Sequence, residues 1–347
     1  MSAELRTLVT GGAGYFGHCL VKKLRSRNYH VRIFDLNDLQ ERPPDIEFVQ
    51  GDIRDAAAIR RASEGIDIVF HNVAQVPLAK DRDLFWSINR DGTLRMLEAA
   101  RDVGVRKVIY TSSSAVFGVP ARNPVDESVD PSPMEDYGRA KYEGEKLCRQ
   151  FSDRGLDISI IRPRTIMGYG RLGIFQILFE WIYQGSNVPV LDGGNNVYQF
   201  VHGDDLAEAC ILAGLSPGSN VFNCGAERFG TMREVLESLC QHARTGSKVV
   251  SLPRWAAELS MNVASVVGLS PLGPYHSMMY GRSFYFDISH AKAVLGWQPR
   301  YSNDEMFCQS YDWYCQNREE VLRGSGHASY HRSAVKQGIL SLVRRFL

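Results

Sequence analysis

The 347 residues carry 40 Lys and Arg against 39 Asp and Glu, so no whole-chain field draws a nucleic acid to the protein. That length supports one large domain or two intimate ones with a well-buried core. The seven cysteines are odd in number, scattered and without CxxC spacing, which argues against a disulfide framework or a zinc site and fits a reducing compartment.

The chain enters its first strand with no room for a signal peptide, and no run reaches about 18 uninterrupted apolar residues. The expectation is a soluble, cytoplasmic protein. Thr7-Leu8-Val9 predicts a strand that runs into Thr10-Gly11-Gly12-Ala13-Gly14-Tyr15-Phe16-Gly17, with a helix expected near 15–27. In that context Gly11, Gly14 and Gly17 suit a dinucleotide loop. Amides at the helix start point toward a diphosphate, the helix dipole favours its charge, and missing Cβ atoms let the phosphates approach. The competing account is a tight strand–helix turn with no ligand. Val31–Phe34 predicts the second strand, and Asp35 ends it eighteen residues after Gly17, which disfavours the bare turn. A carboxylate there accepts from the adenosine ribose hydroxyls and repels a 2′-phosphate, so NAD is expected over NADP. Arg32 sits nearby, inside the strand.

Ile46–Val49 predicts a third strand. Asp52 and the amide of Ile53 could then meet the adenine edge, or Asp52 could cap the helix that begins near Arg54-Asp55; both accounts stay open. A helix near 56–63, a strand at 68–70, a helix near 84–103, a strand at 108–110, a helix near 137–153 and a strand at 158–161 follow. The stripe Leu84, Ile88, Leu94, Leu97 and Ala100 is imperfect, and Gly104 supplies a stop. This alternation is the pattern of a parallel sheet with crossover helices.

Two features of this half carry chemistry. The strand at 108–110 ends in Thr111-Ser112-Ser113-Ser114, where a serine hydroxyl can donate to a substrate oxygen as charge develops. On the next helix Tyr137 and Lys141 stand one turn apart. A free tyrosine has a pKa of about 10, too high for a base near neutrality, and an ammonium on the same face favours the phenolate. Lys141 could also hold the nicotinamide ribose. Such a pair is often an ordinary surface pair; its place beside the serine cluster, at the edge where ligands gather in these sheets, gives it weight.

Beyond Arg162-Pro163 the rhythm loosens. A helix near 173–185 is apolar almost all round and should be buried, and Asp192–Asn196 is a turn cluster. Gln199-Phe200-Val201 predicts a strand, and a helix starts near 204. Asp204 and Asp205 are expected to cap that helix rather than bind metal, and His202 to be a buried hydrogen-bonding residue. Residues 251–282, rich in Pro, Gly, Met and aromatics, are expected to form a variable cap over a pocket. From His331 to Leu347, Val335, Ile339, Leu342, Val343 and Phe346 share a helical face while Arg332, Arg344 and Arg345 lie largely off it. A docked terminal helix is preferred there to peripheral contact with an anionic membrane.

Taken in order, these motifs resemble the extended short-chain dehydrogenase/reductase superfamily, and within it the NAD-dependent epimerase/dehydratase family. The overall likeness is to nucleotide-sugar epimerases, with some 3β-hydroxysteroid dehydrogenase-like features. It covers roughly residues 6–315 and includes His71-Asn72-Val73-Ala74, Asn89, Thr111–Gly118, Arg162-Pro163, Phe200–Ala207 and Phe286–Pro299. The resemblance implies an α/β fold: a doubly wound parallel sheet (Rossmann) over 1–165, a smaller substrate lobe over 166–325 with crossings back, and a helical tail at 326–347. It also implies a homodimer. Ser113, Tyr137 and Lys141 become the catalytic group, with Ser112 and Ser114 as alternatives for the hydroxyl. Cofactor contacts fall to Gly11, Gly14, Tyr15, Phe16 and Gly17, to Asp35, Asp52 and Ile53, and to Asn72, Ala74, Asn89 and Pro163, with Tyr137 and Lys141.

Ser114-Ala115 stand where sugar dehydratases and decarboxylases carry acids, so elimination is not expected. The expected activity is NAD-dependent epimerisation of a nucleoside-diphosphate sugar at C4, by transient oxidation to a keto sugar and return of hydride to the other face. Arg164-Thr165 replace an asparagine common after Arg-Pro, and Asn196–Gln199 stand where an arginine often meets the substrate diphosphate. Arg164, Thr165, Arg171 and Arg282 are therefore the candidate substrate contacts, since the guanidinium fork suits phosphate; each arginine could equally be a surface residue. A second account is a 3β-hydroxysteroid dehydrogenase-like oxidoreductase acting on an apolar alcohol, with Tyr275–Tyr280 lining its pocket. A third is a non-catalytic NAD-sensing protein, which the intact Ser113, Tyr137 and Lys141 disfavour. No metal is expected.

Overall fold

In the computed structural model, residues 5–39, 41–75, 82–253 and 281–323 are described. The expected cap at 251–282 lies almost wholly outside them, and the tail from His331 wholly so.

The first half alternates as its pattern predicts. β1 (Arg6–Thr10), α1 (Tyr15–Arg25), β2 (His30–Asp35), β3 (Glu47–Gln50), α2 (Ala56–Ser63) and β4 (Ile68–His71) come first. The segment 84–103 is not one helix. It divides into α3 (Arg82–Trp86), a π-helical turn over Ser87–Gly92 and α4 (Thr93–Asp102). The wider turn shifts the helical phase, which is why the apolar stripe there looked imperfect. β5 (Lys107–Thr111), α5 (Asp136–Ser152) and β6 (Asp157–Pro163) complete the alternation.

After β6 come β7 (Thr165–Met167), α6 (Gln176–Tyr183), β8 (Val188–Leu191), β9 (Val197–Tyr198), β10 (Phe200–His202), α7 (Gly203–Leu215) and β11 (Val221–Cys224). Then follow β12 (Gly230–Thr231), α8 (Met232–Ala243), β13 (Val249–Leu252), α9 (Ser289–Leu295) and α10 (Asn303–Arg323).

The main sheet has seven strands in the order β11-β6-β5-β4-β1-β2-β3, and every pairing in it is parallel. Parallel strands are covered on both faces, and the alternation within them shows it. Leu8, Val69 and Val108 pack with Ile59 of α2, Met96 of α4 and Cys148 of α5. Val9, Phe70 and Ile109 pack on the other face with Leu20 of α1 and Leu206 of α7. β11 was not anticipated: the chain leaves the sheet after β6, visits the second lobe, and comes back through α7 to add the seventh strand beside β6.

The second lobe has its own core, in which Phe179 of α6, Leu236 of α8 and Phe307 and Tyr314 of α10 are buried. Neither Asp204 nor Asp205 caps α7. His202 does, its Nδ1 accepting from the Asp204 amide at 3.1 Å, which leaves the Nε2 proton for Gln309 Oε1 at 3.1 Å. Asp205 instead accepts the amides of Arg300 and Tyr301. The imidazole wins because it ends the strand one residue before the helix, where a cap must stand. No helix among the described residues is long and apolar enough to cross a membrane.

Candidate active site

The carboxyl ends of β1, β4 and β5 stop together, with Thr10 opposite His71 and His71 opposite Tyr110. A cavity of about 650 Å³ follows that edge and continues into the second lobe.

At one end β1 passes into Gly11, whose φ of +73° strains any L side chain. A Cβ on Gly17 would lie 2.0 Å from the Gly11 carbonyl oxygen, so the loop folds tightly onto α1 only with glycine there. Gly14 caps α1 without a side-chain hydrogen bond. The first amides and the positive end of the helix dipole thus stay available to an anion. Asp35 Oδ2 accepts the Ala13 amide at 3.0 Å, and its Oδ1 accepts the Asn37 amide at 3.3 Å. Burial raises the pKa of this carboxyl, against the pull of those amides. Arg32 turns away to Glu47 and to the carbonyls of Ala62 and Glu64, so its cation does not offset Asp35.

Asp52 and Ile53 line the same end of the cavity. Asp52 accepts the Arg54 amide and Nε, both at 2.9 Å, while Asp55 caps α2 by accepting the amides of Ala57 and Ala58. The capping account of Asp52 therefore passes to Asp55. Asn72 and Ala74 also line the cavity, with Asn72 Oδ1 accepting from Thr111 Oγ1 at 2.6 Å. Asn89 is different. It is 1% exposed, accepts the Gln75 amide and donates to the Gln75 carbonyl, each at 3.0 Å. It holds Gln75 at the end of the 72–75 loop and is not itself among the residues that line the cavity. A glycine cradle at a helix start, with a carboxylate at the end of the next strand, fits a dinucleotide.

At the centre, Glu135 caps α5 by accepting the amides of Tyr137 at 2.8 Å and Gly138 at 2.6 Å, which sets Tyr137 in the first turn. The phenol ring packs edge-on against Phe85. Lys141 is buried, and its Nζ donates to the Thr111 carbonyl at 2.9 Å. Burial pulls its pKa to about 8, while Cys148 and Glu145 act the other way.

The three serines now separate. Ser112 donates to Glu145 Oε1 at 2.6 Å and Ser114 accepts from Arg164 Nη1 at 2.8 Å, both buried. Ser113 is only half-buried and lines the cavity. Its Oγ accepts the Ala115 amide at 3.2 Å, so its proton is left to donate elsewhere. Glu145 also receives Arg162 through two bonds of 2.9 and 2.6 Å. This buried carboxylate was missed at the level of sequence, although its position four residues past Lys141 was the available signal.

Pro163 at the end of β6, then Arg164, Thr165 and Arg171, line the cavity toward the second lobe, and Thr165 Oγ1 lies 3.1 Å from the Tyr198 hydroxyl. The walls are otherwise mostly apolar, among them Ile166, Leu172, Phe175, Leu191 and Leu236. Arg164 is no surface residue: it is 1% exposed, with its guanidinium carbon 3.8 Å from the Phe284 ring centre. Arg171 sits 5.2 Å over Tyr15. Arg282 is exposed and stands apart from the residues that line the cavity.

Known proteins resemble this chain along most of its length. The family model described as "NAD dependent epimerase/dehydratase family" matches residues 7–225, from β1 through β11. The chain is 54% identical over 337 residues to the uncharacterized protein y4nG of Sinorhizobium fredii, covering 97% of this chain and 85% of that one. It is 31% identical to the 3 beta-hydroxysteroid dehydrogenase/Delta 5-->4-isomerase of Mycobacterium tuberculosis, covering 92% of this chain and 94% of the relative. Among solved structures, the UDP-glucose 4-epimerase of Thermotoga maritima with UDP-glucose superposes with a TM-score of 0.76 at 25% identity, covering 90% of this chain and 100% of that one.

Proposed function

Because the chain belongs to the NAD-dependent epimerase/dehydratase family and is an NAD-dependent enzyme of the extended short-chain dehydrogenase/reductase type, we propose that it epimerises a nucleoside-diphosphate sugar at C4. The observation that carries this reading is the meeting of Ser113, Tyr137 and Lys141 on one cavity that is continuous from the glycine loop to the second lobe.

Bound NAD supplies reversible two-electron oxidation of the alcohol carbon. The chain's own residues handle the proton and the geometry. Tyr137 exchanges a proton with the substrate hydroxyl. Lys141, charged below about pH 8, favours the phenolate and is fixed by the Thr111 carbonyl, which leaves its other N–H groups for the ribose. Ser113 donates to the same substrate oxygen as charge develops on it. Ser114 and Ala115 offer no acid or base to drive an elimination. An epimerase must also let the oxidised sugar turn over without releasing it. Walls with few fixed polar contacts allow that turn.

The same apolar walls favour a second reading, oxidation or reduction of an apolar alcohol, for which the relative at 31% identity is the precedent. One experiment separates the two. Small molecules released from the purified protein are identified by mass spectrometry, and the protein is incubated with UDP- and GDP-sugars and with sterol alcohols. Redistribution between sugar epimers without net NADH supports the first reading; stoichiometric NADH with a sterol replaces it by the second. Bound NAD with no turnover of any alcohol would leave a non-catalytic NAD sensor.

A further inference from the structure

Arg171 lines the cavity from the second lobe but reaches toward the glycine-loop end. It follows β7, and its guanidinium carbon stands 5.2 Å from the ring centre of Tyr15, the first residue of α1. Tyr15, Tyr137 and Cys19 all lie within electrostatic reach of it. Among the described residues no carboxylate pairs with this guanidinium and no acceptor takes a hydrogen bond from it. Other arginines set on buried carboxylates are differently placed: Arg162 has Glu145 and Arg318 has Glu180. Burial pulls Arg171 down only to about 10, so it is a cation at neutral pH. A half-buried cation with no carboxylate partner among the described residues is costly, and an arriving anion relieves that cost.

The anion expected nearby is the diphosphate of the dinucleotide. α1 begins beneath Arg171 with no acidic residue in its first turn and no side-chain cap, so its amides and dipole face the same way electrostatically as the guanidinium. We propose that Arg171 is a cross-lobe counter-ion of the cofactor diphosphate, reaching from the second lobe to the start of α1 and tying cofactor retention to the seating of that lobe. Retention matters to an enzyme that must finish a cycle with the cofactor it began with, yet the proposal rests on NAD binding alone and not on the identity of the sugar.

The test is direct binding by calorimetry without any substrate, using NAD, ADP-ribose and adenosine as probes on protein stripped of cofactor. Arg171→Met keeps an apolar chain on the Tyr15 ring, and Arg171→Lys keeps the charge. Loss of charge-assisted hydrogen bonds predicts that Arg171→Met raises Kd for NAD and for ADP-ribose by the same factor, about tenfold to a hundredfold. Adenosine, which has no phosphate, should bind both proteins alike, and Arg171→Lys should recover part of the loss. The salt dependence of NAD binding should also weaken in Arg171→Met. An unchanged Kd for NAD would return Arg171 to the substrate and overturn the proposal. An equal loss for adenosine would overturn it too, as general damage to the site.

Discussion

Replacing Glu145 with Gln should destabilise the protein more than any exposed charge change, and the size follows from its surroundings. The side chains of Arg162 and Glu145 are 1% and 0% exposed and share two short bonds, and Ser112 donates to the same carboxylate. Removing one member of a buried pair leaves the other charge uncompensated, which costs about 3–5 kcal/mol. Gln keeps the shape and one acceptor oxygen for Ser112, so the loss reports mainly the charge. That is a large share of the roughly 5–15 kcal/mol by which a domain is stable. Urea unfolding followed by circular dichroism measures it, with the double replacement Glu145→Leu and Arg162→Leu as the partner experiment. The double variant should be more stable than Glu145→Gln, because no buried charge is stranded. A single-variant loss below about 1 kcal/mol, or a double variant worse than the single, would refute the account of the pair. A kinetic consequence accompanies it. Glu145 holds the Lys141 pKa up against burial, so without its charge the value falls below about 8. Lys141 is charged only below its pKa, and the alkaline limb of kcat should therefore move to lower pH in Glu145→Gln.

Tyr137→Phe should retain NAD binding and lose about 10²–10⁴-fold in turnover, and near-normal turnover would remove the phenol from the mechanism. Ser113→Ala should lower kcat more than Ser114→Ala, whose hydroxyl is engaged by Arg164; the reverse order in matched kinetic assays would move the oxygen-donating role to Ser114. Asp35→Ala should relax the preference for NAD over NADP, measured as the ratio of the two Kd values, and an unchanged ratio would count against its ribose role. Asn89→Ala should weaken NAD binding without touching the cofactor, because the Gln75 loop loses both of its anchors, and hydrogen exchange of that loop should rise in parallel.

The sheet, the glycine loop and the Tyr137–Lys141 pair were legible because each is written in a short stretch: an apolar run, a glycine spacing, one helical turn. The choice among three serines was not. It turns on Glu145, 33 residues beyond Ser112, and on Arg164, 50 residues beyond Ser114, and local spacing carries no record of such partners. The π-helical turn over Ser87–Gly92 was not legible either, because a 3.6-residue period cannot register a turn of another width. β11 escaped notice because Val221-Phe222-Asn223-Cys224 is short and interrupted by Asn223; it is a strand because β6 offers it an edge. His202 outcompeted the aspartates as a cap because it stands just before Gly203, two positions ahead of Asp204.

The return of the chain through α7 to β11 sets a limit on dissecting the molecule. A fragment cut after β6 would carry the glycine loop, Tyr137 and Lys141, yet its outermost strand would be stripped of the neighbour that pairs Val221 with Ile160 and Phe222 with Ile161. A bare, apolar strand edge is a template for other chains. The amino-terminal segment alone is therefore expected to clump rather than to survive as a miniature cofactor binder, and a workable minimal piece must extend at least through Cys224.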